Sequence, residues 1–291
     1  MRTLPLGPGA RDVTAIGFGG MPLSIPGRPD EADAVKTLHA VLDAGVTLLD
    51  TADVYCQGED DIGHNERLVA KALRTWDGDR TAVVVATKGG ITRPRGDWAS
   101  DGSPAHLRRA CDRSLRALDV ERIDLYQLHR LDPRVPLEES VGALAELRAA
   151  GKIRWVGLSN VSVQEIDAAR AIVPVTTVQN RLNPFFREAP TEGVVRHCAT
   201  HGIGFLAYSP VGGGRLNKKL PSHPALLPIA AKHGISPHVV VIAWVMAQGR
   251  TVIPIPGGRT VAHALDSLAA AGVTLTAGDL AAIDGAEFSR A

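Results

Sequence analysis

The feature that most constrains this chain is an alternation repeated eight times. Short, β-branched, apolar runs occur at Ala15–Phe18, Thr47–Asp50, Ala82–Thr87, Ile123–Leu128, Arg154–Leu158, Val175–Val178, Gly204–Ala207 and Val252–Ile255. Their near-continuous hydrophobicity is what strands covered on both faces require. Between them lie amphipathic stretches of helical length: Glu31–Ala44, Asn65–Arg74, Pro104–Leu118, Leu137–Ala150, Val163–Ile172 and Thr191–Thr200. Asp30 and Ser103 stand where N-caps belong, and Gly45 and Gly151 where helices end. Eight strands alternating with helices over 291 residues form either an open doubly wound sheet or a closed barrel. The open dinucleotide-binding sheet needs Gly-x-Gly-x-x-Gly after its first strand. This chain reads Gly17-Phe18-Gly19-Gly20-Met21-Pro22 there, which fails the pattern. The expectation is an α/β fold, a (β/α)8 TIM barrel, with residues 1–291 as a single domain. The leading segments Thr3–Leu6 and Val13 suit a short N-terminal hairpin across the barrel floor.

Composition narrows the function classes. The 32 basic and 31 acidic residues nearly cancel, so nothing calls for nucleic acid or an anionic membrane. Cys56, Cys111 and Cys198 are odd in number and far apart, which argues against a disulfide framework and a zinc ribbon. The longest apolar run, Val239–Ala247, is about half of the roughly 20 residues a membrane span needs and suits a buried helix. No secretory signal core is visible at the N-terminus, so the expected setting is the cytoplasm.

A closed barrel carries its site at the C-terminal ends of its strands. Strand two ends in Leu49-Asp50-Thr51-Ala52-Asp53-Val54-Tyr55, strand three in Thr87-Lys88, and strand four in Gln127-Leu128-His129. Taken singly, the Asp could cap a helix, the Lys could be solvated and the His could be structural. At three successive strand ends, with the Tyr close behind, they describe one job. A free phenol has a pKa near 10 and is a poor acid at neutral pH. Lys88 would stabilise the Tyr55 phenolate and lower that pKa, Asp50 would hold Lys88 in place, and His129 would orient a substrate oxygen. A phenol so placed can protonate a carbonyl oxygen as it becomes an alkoxide. No side chain supplies the matching hydride, so a nicotinamide is implied.

These motifs resemble the aldo-keto reductase superfamily. The resemblance runs from Gly-Phe-Gly-Gly-Met at residues 17–21 to Ile255-Pro256-Gly257. It is most specific in Asp50-Thr51-Ala52-Asp53-Val54-Tyr55, in Lys88, and in Asp124-Leu125-Tyr126-Gln127-Leu128-His129. It implies the tetrad Asp50, Tyr55, Lys88 and His129, with Tyr55 as the general acid, an aldehyde or ketone as small-molecule substrate, NADPH (NADP+) as cofactor and no metal. It places the nicotinamide carboxamide on Ser159, Asn160 and Gln179, with Gly20, Met21 and Asp50 beside it. Tyr208 could stack on one face of the nicotinamide ring. Ser209, Pro210, Val211 and Gly212, continuing to Gly214, resemble the family's belt over the pyrophosphate. Ile255, Pro256, Gly257, Gly258 and Arg259 open a helix whose N-terminus would take the 2′-phosphate. His263 falls where many members carry an Arg. The usual Glu-Asn pair on adenine is shortened here to Asp266-Ser267. A second reading of the same resemblance is a nucleotide-binding regulatory barrel with vestigial activity; a phosphate-handling isomerase would leave the tetrad unexplained.

Other features are expected to be minor. His197 and His201 have zinc-compatible spacing but no third ligand. Cys56 follows Tyr55 and reads as an inert thiol, and Glu59-Asp60-Asp61 as a solvated loop. Trp98, in a loop rich in Gly and Pro, is a candidate wall of the substrate pocket.

Overall fold

The computed structural model covers residues 1–291. The chain opens with an antiparallel hairpin, β1 (Thr3–Pro5) and β2 (Asp12–Thr14). Barrel strands β3 (Phe18–Gly19), β4 (Leu48–Asp50) and β5 (Val84–Gly89) follow. A second small hairpin, β6 (Ile91–Thr92) and β7 (Ala99–Ser100), then intervenes. The barrel resumes with β8 (Ile123–Leu128), β9 (Ile153–Ser159), β10 (Val175–Arg181), β11 (Gly204–Tyr208) and β12 (Val252–Pro254). Neighbouring strands in this eight-stranded sheet are parallel, in chain order. The N–H groups of Gly17 and Gly19 donate to the carbonyls of Pro254 and Pro256, both at 2.9 Å, and so join the first strand to the last. A Cβ on Gly19 would lie 2.9 Å from the Ile255 carbonyl oxygen, so the join needs a glycine there.

Period-two alternation sorts each strand into an inner and an outer face. Inward, Leu48, Val84, Ala86, Leu125, Trp155, Leu206, Ile253 and Ile255 pack with Leu6 and Val13 of the first hairpin into one apolar cluster. The hairpin therefore plugs the floor, as expected. Trp155 Nε1 ties it down by donating to the Gly9 carbonyl at 3.0 Å. Outward, Leu49, Tyr126, Val156, Val178 and Phe205 join the helices in a 62-residue core. Val239 to Met246 are all buried, as their unbroken hydrophobicity requires. No single helix is long and apolar enough to cross a membrane.

The helix signals act as expected. Asp30 and Ser103 accept from the N–H groups of Asp33 and His106. Gly45 and Gly151 follow their helices with φ of 89° and 75°. The first strand is shorter and later than its apolar run suggested, because Ala15 and Ile16 belong to the bend leaving the hairpin. The third begins at Val84 after a 3-10 turn at Arg80–Ala82, so Lys88 lies within the strand rather than after it.

One contact of the outer layer is testable. A Cβ on Gly89 would sit 2.0 Å from the Tyr126 hydroxyl, which is buried and has no hydrogen-bond partner. Gly89→Ala should lose about 1–3 kcal/mol, the range for overpacking. Tyr126→Phe should be close to neutral, since it removes an unsatisfied buried group. In the double variant more than half of the loss should return. Urea unfolding of all four proteins measures the coupling; strictly additive losses would show that the hydroxyl is not the obstacle.

Candidate active site

The inward face turns polar toward the C-terminal ends of the strands. Asp50 follows Leu48 by two positions, Lys88 follows Ala86, Gln127 and His129 follow Leu125, Gln179 follows Thr177, and Tyr208 follows Leu206. The same alternation that fills the floor with aliphatic side chains thus lines the mouth with polar ones.

The tetrad is assembled. Lys88 is fully buried and spends its three N–H donors on Asp50 Oδ1 (2.6 Å), the Thr51 carbonyl (2.9 Å) and the Tyr55 hydroxyl (2.9 Å). Asp50 Oδ2 accepts from Gln179 Nε2 at 2.7 Å and from Gln127 Nε2 at 3.2 Å. The His129 ring meets the Tyr55 ring edge-on, centroids 5.8 Å apart. Ala52, Val54 and Ile91 pack with Tyr55, and Met21 lies against this group. Tyr55 accepts from Lys88, and no protein group accepts its own hydroxyl proton.

Electrostatics set the protonation states. Burial opposes the charge on Lys88, but Asp50 and Tyr55 outweigh it and hold the ammonium's pKa above the usual lysine value. Burial, seconded by Lys88 and Arg130, holds His129 well below the ordinary histidine range, so the ring is neutral at pH 7. Tyr55 corrects the sequence-based expectation. Lys88 does pull its pKa down, yet burial prevails and the phenol lies above the ordinary tyrosine value.

Sequence reasoning missed Gln127 and Asn65. Gln127 stands between Leu125 and His129, so strict alternation places it inward and would have found it. Asn65 is the second residue of the helix His64–Thr75. It accepts from Thr51 Oγ1 (2.6 Å) and donates to the Gly20 carbonyl (2.8 Å), which locks the ends of β3 and β4 together. A Cβ on Gly20 would fall 2.5 Å from Asn65 Oδ1. Only the fold reveals that contact.

Apart from Gly20, Met21 and Asp50 at the ends of β3 and β4, the candidate cofactor residues lie at the strand ends from β9 to β12 and on the helix that follows β12. Asn160 Nδ2 donates to the His129 carbonyl (3.1 Å) and Ser159 Oγ (3.0 Å), and Tyr208 donates to Asn160 Oδ1 (2.7 Å). Ser159 Oγ donates to the Gln179 carbonyl at 2.7 Å. Gln179 uses Nε2 within the site and leaves Oε1 unbonded, an acceptor suited to a carboxamide N–H. Asn160 and Ser209 hold φ of 59° and 49°, a left-handed backbone worth about 1–3 kcal/mol of strain. Pro210 and Val211 lead into Gly212, at φ 89°, where a Cβ would meet Leu216 at 2.8 Å. After β12, Ile255 and Pro256 reach Gly257, where a Cβ would lie 2.5 Å from the Gly19 carbonyl oxygen. Beyond Gly212, Gly213 and Gly214 carry bare backbone in open space, a Cβ on Gly214 meeting nothing within 4 Å, and such backbone can come close to a pyrophosphate.

Arg259 follows Gly258 at the entrance of the helix Val261–Leu268. Its Nε and Nη2 donate to the carbonyls of Pro22 and Pro26, and Nη1 makes no hydrogen bond. His263 is in the first turn and exposed. Asp266 turns its carboxylate to Ser236 Oγ at 2.7 Å, so the fold already uses it to brace the neighbouring helix. Trp98 is 46% exposed and covers the Arg93 guanidinium at 4.2 Å. Cys56 is buried, and burial pushes its thiol up. His197 Nε2 lies 3.0 Å from Asp167 Oδ1.

The model of the aldo/keto reductase family matches residues 15–287. A probable aldo-keto reductase 1 from Glycine max is 35% identical, over 96% of this chain and 87% of its own. The solved structure of a glycerol dehydrogenase from Gluconobacter oxydans superposes with a TM-score of 0.84 at 29% identity, covering 97% of this chain and 94% of that one. An aldo-keto reductase from Klebsiella pneumoniae, crystallised with NADPH, gives 0.80 at 29% identity over 97% and 94% of the two chains. The chain belongs to the aldo/keto reductase family and is an NAD(P)H-dependent oxidoreductase of (β/α)8 architecture.

Proposed function

We propose that residues 1–291 work as one barrel domain that reduces an aldehyde or ketone to an alcohol with NADPH, Tyr55 donating the proton. The observation that carries this reading is the Tyr55 hydroxyl. Its oxygen is held by a buried ammonium while its proton is unclaimed. When bound, the reduced nicotinamide supplies the hydride. Ser159, Asn160 and Gln179 would hold its carboxamide, Tyr208 one face of its ring, and Gly20 and Met21 its edge. Ser209 to Gly212 and Ile255 to Gly258 would border the pyrophosphate.

The chain's own residues then divide the work. Neutral His129 offers a hydrogen bond to the carbonyl oxygen without competing for the proton. Tyr55 keeps its proton in the resting site and releases it to the developing alkoxide. Lys88 stabilises the phenolate so formed, and Asp50, with Gln127 and Gln179 behind it, keeps Lys88 charged and in place. Trp98 forms a wall of the substrate pocket. A panel of aldehydes and ketones, with NADPH oxidation followed at 340 nm, tests the activity; no turnover on any of them would contradict the reading.

NADPH is favoured over NADH by charge. No acidic residue lies between Pro254 and Ala264 to repel a 2′-phosphate. The open Nη1 of Arg259, the N-terminus of the helix Val261–Leu268 and His263 are grouped to receive it. Asp266 and Ser267 would face the adenine.

Four outcomes are expected. Tyr55→Phe should bind NADPH normally but lose roughly 10²- to 10⁴-fold in kcat, the contribution of a positioned acid. Turnover within about threefold of the parent would remove Tyr55 from the role. Lys88→Met should be nearly inactive from pH 6 to 9 and less stable by about 3–5 kcal/mol, because Asp50 is left buried and unpaired. The parent should keep its activity down to pH 6, since the depressed His129 pKa leaves that ring neutral there. Arg259→Ala should lower the ratio of NADPH to NADH affinity about tenfold or more, as loss of a charged hydrogen bond implies. Tryptophan-fluorescence titration with both cofactors reads that ratio, and an unchanged ratio would show that the phosphate is not read by Arg259.

A further inference from the structure

Tyr55 stands on a loop, and the loop needs an anchor. Between the end of β4 at Asp50 and the short turn at Glu59–Asp61 the chain has no regular secondary structure. Yet the hydroxyl must stay at hydrogen-bond distance from Lys88. The anchor comes from the hairpin formed by β6 and β7, and specifically from Arg93.

Arg93 is only 3% exposed. Its Nη1 donates to the carbonyls of Val54 (3.3 Å) and Cys56 (3.0 Å), the two residues flanking Tyr55. Its Nη2 donates to Gln57 (3.4 Å) and Gly96 (2.7 Å), and Nε to Gly96 (3.1 Å). No carboxylate lies within ion-pair distance of it; backbone carbonyls alone surround the charge. The hairpin tip is bent to make this possible, with Arg95 and Gly96 at φ of 52° and 87°. The outer face of the guanidinium is closed by the Trp98 indole at 4.2 Å. From the same hairpin, Ile91 packs with the Tyr55 ring. One hairpin therefore grips both the backbone and the ring of Tyr55.

We infer that Arg93 is a positioning residue for the reduction, fixing the Tyr55 loop by bonding the carbonyls on either side of it, with Trp98 as its cover. The inference rests on the proposed role of Tyr55. A flat guanidinium bridges four carbonyls at once, which a lysine ammonium, with three donors around one nitrogen, does not. A misplacement of about 1 Å can cost roughly a hundredfold in rate, so the effect belongs in kcat.

The test is a double-variant cycle. Arg93→Lys should lower kcat about 10- to 100-fold, with little change in NADPH affinity or in KM for a small aldehyde. The kinetic isotope effect with 4-deuterated NADPH should rise as chemistry becomes limiting. In a Tyr55→Phe background the same Arg93→Lys change should have almost no further effect, because there is no phenol left to place. Should Arg93→Lys not fold, Trp98→Ala tests the same clamp from an exposed position. It should lower kcat about two- to fivefold by removing the cation–π cover; that loss in kcat should vanish without Tyr55, whereas any change in KM from the pocket wall should persist. An equal loss with and without the phenol would show that Arg93 acts through something other than Tyr55, and an unchanged kcat in folded Arg93→Lys would also overturn the inference. A near-normal Tyr55→Phe would instead overturn the role of Tyr55, and with it this extension.

Discussion

The polar mouth of the barrel is organised around one ion pair. Lys88 and Asp50 meet at 2.6 Å inside the barrel, where neither reaches water. Taking two charges out of water is unfavourable by several kcal/mol each, and mutual attraction offsets this only when the remaining donors and acceptors are also met. Every one is met here. The other two N–H groups of Lys88 find Thr51 and Tyr55, and the second oxygen of Asp50 finds two glutamine amides. An apolar pair of equal volume would fill the barrel at least as stably. The ion pair is therefore better understood as a device for chemistry than as a source of stability.

The rest of the barrel supplies the conditions that this pair requires. The floor is closed by the fully buried side chains of Leu6 and Val13, so Lys88 has apolar groups beneath it. The hairpin reaches that position because Gly204 lets the Leu6 carbonyl come to within 2.0 Å of where a Cβ would stand. At the mouth the chain accepts strain instead, in the left-handed backbones of Asn160 and Ser209. Both lie at strand ends that face the proposed nicotinamide. Left-handed residues at a polar mouth, over an aliphatic floor, fit the place where a barrel carries its site.

How much of this was legible in the sequence follows from the range of the interactions. The barrel itself was legible because near-continuous apolar runs, the amphipathic stretches between them and helix caps are local signals. The tetrad was legible because Asp50, Lys88 and His129 close successive strands and must converge. What stayed hidden depends on pairs far apart in the chain. Asn65 bonding Gly20, Arg93 bonding the carbonyls beside Tyr55, and Asp266 bonding Ser236 follow from tertiary placement, and no local pattern announces them. Even the first barrel strand was displaced, since joining it to the last strand favours glycine at 17 and 19 over a longer apolar run.

The sign of the Tyr55 shift also needed the structure. Spacing alone suggested a phenol made more acidic by Lys88. The fold buries the ring under Ile91 and Val54, and desolvation outweighs the neighbouring charge. On the proposed reading this is an advantage. A general acid must hold its proton until the reacting oxygen gains charge, and a phenol with a raised pKa is fully protonated at neutral pH. Lys88 contributes nothing that must first be reorganised, because its ammonium already points at the oxygen that will become phenolate. The acid is thus weak at rest, and its conjugate base is stabilised in advance by a charge that Asp50 keeps in place.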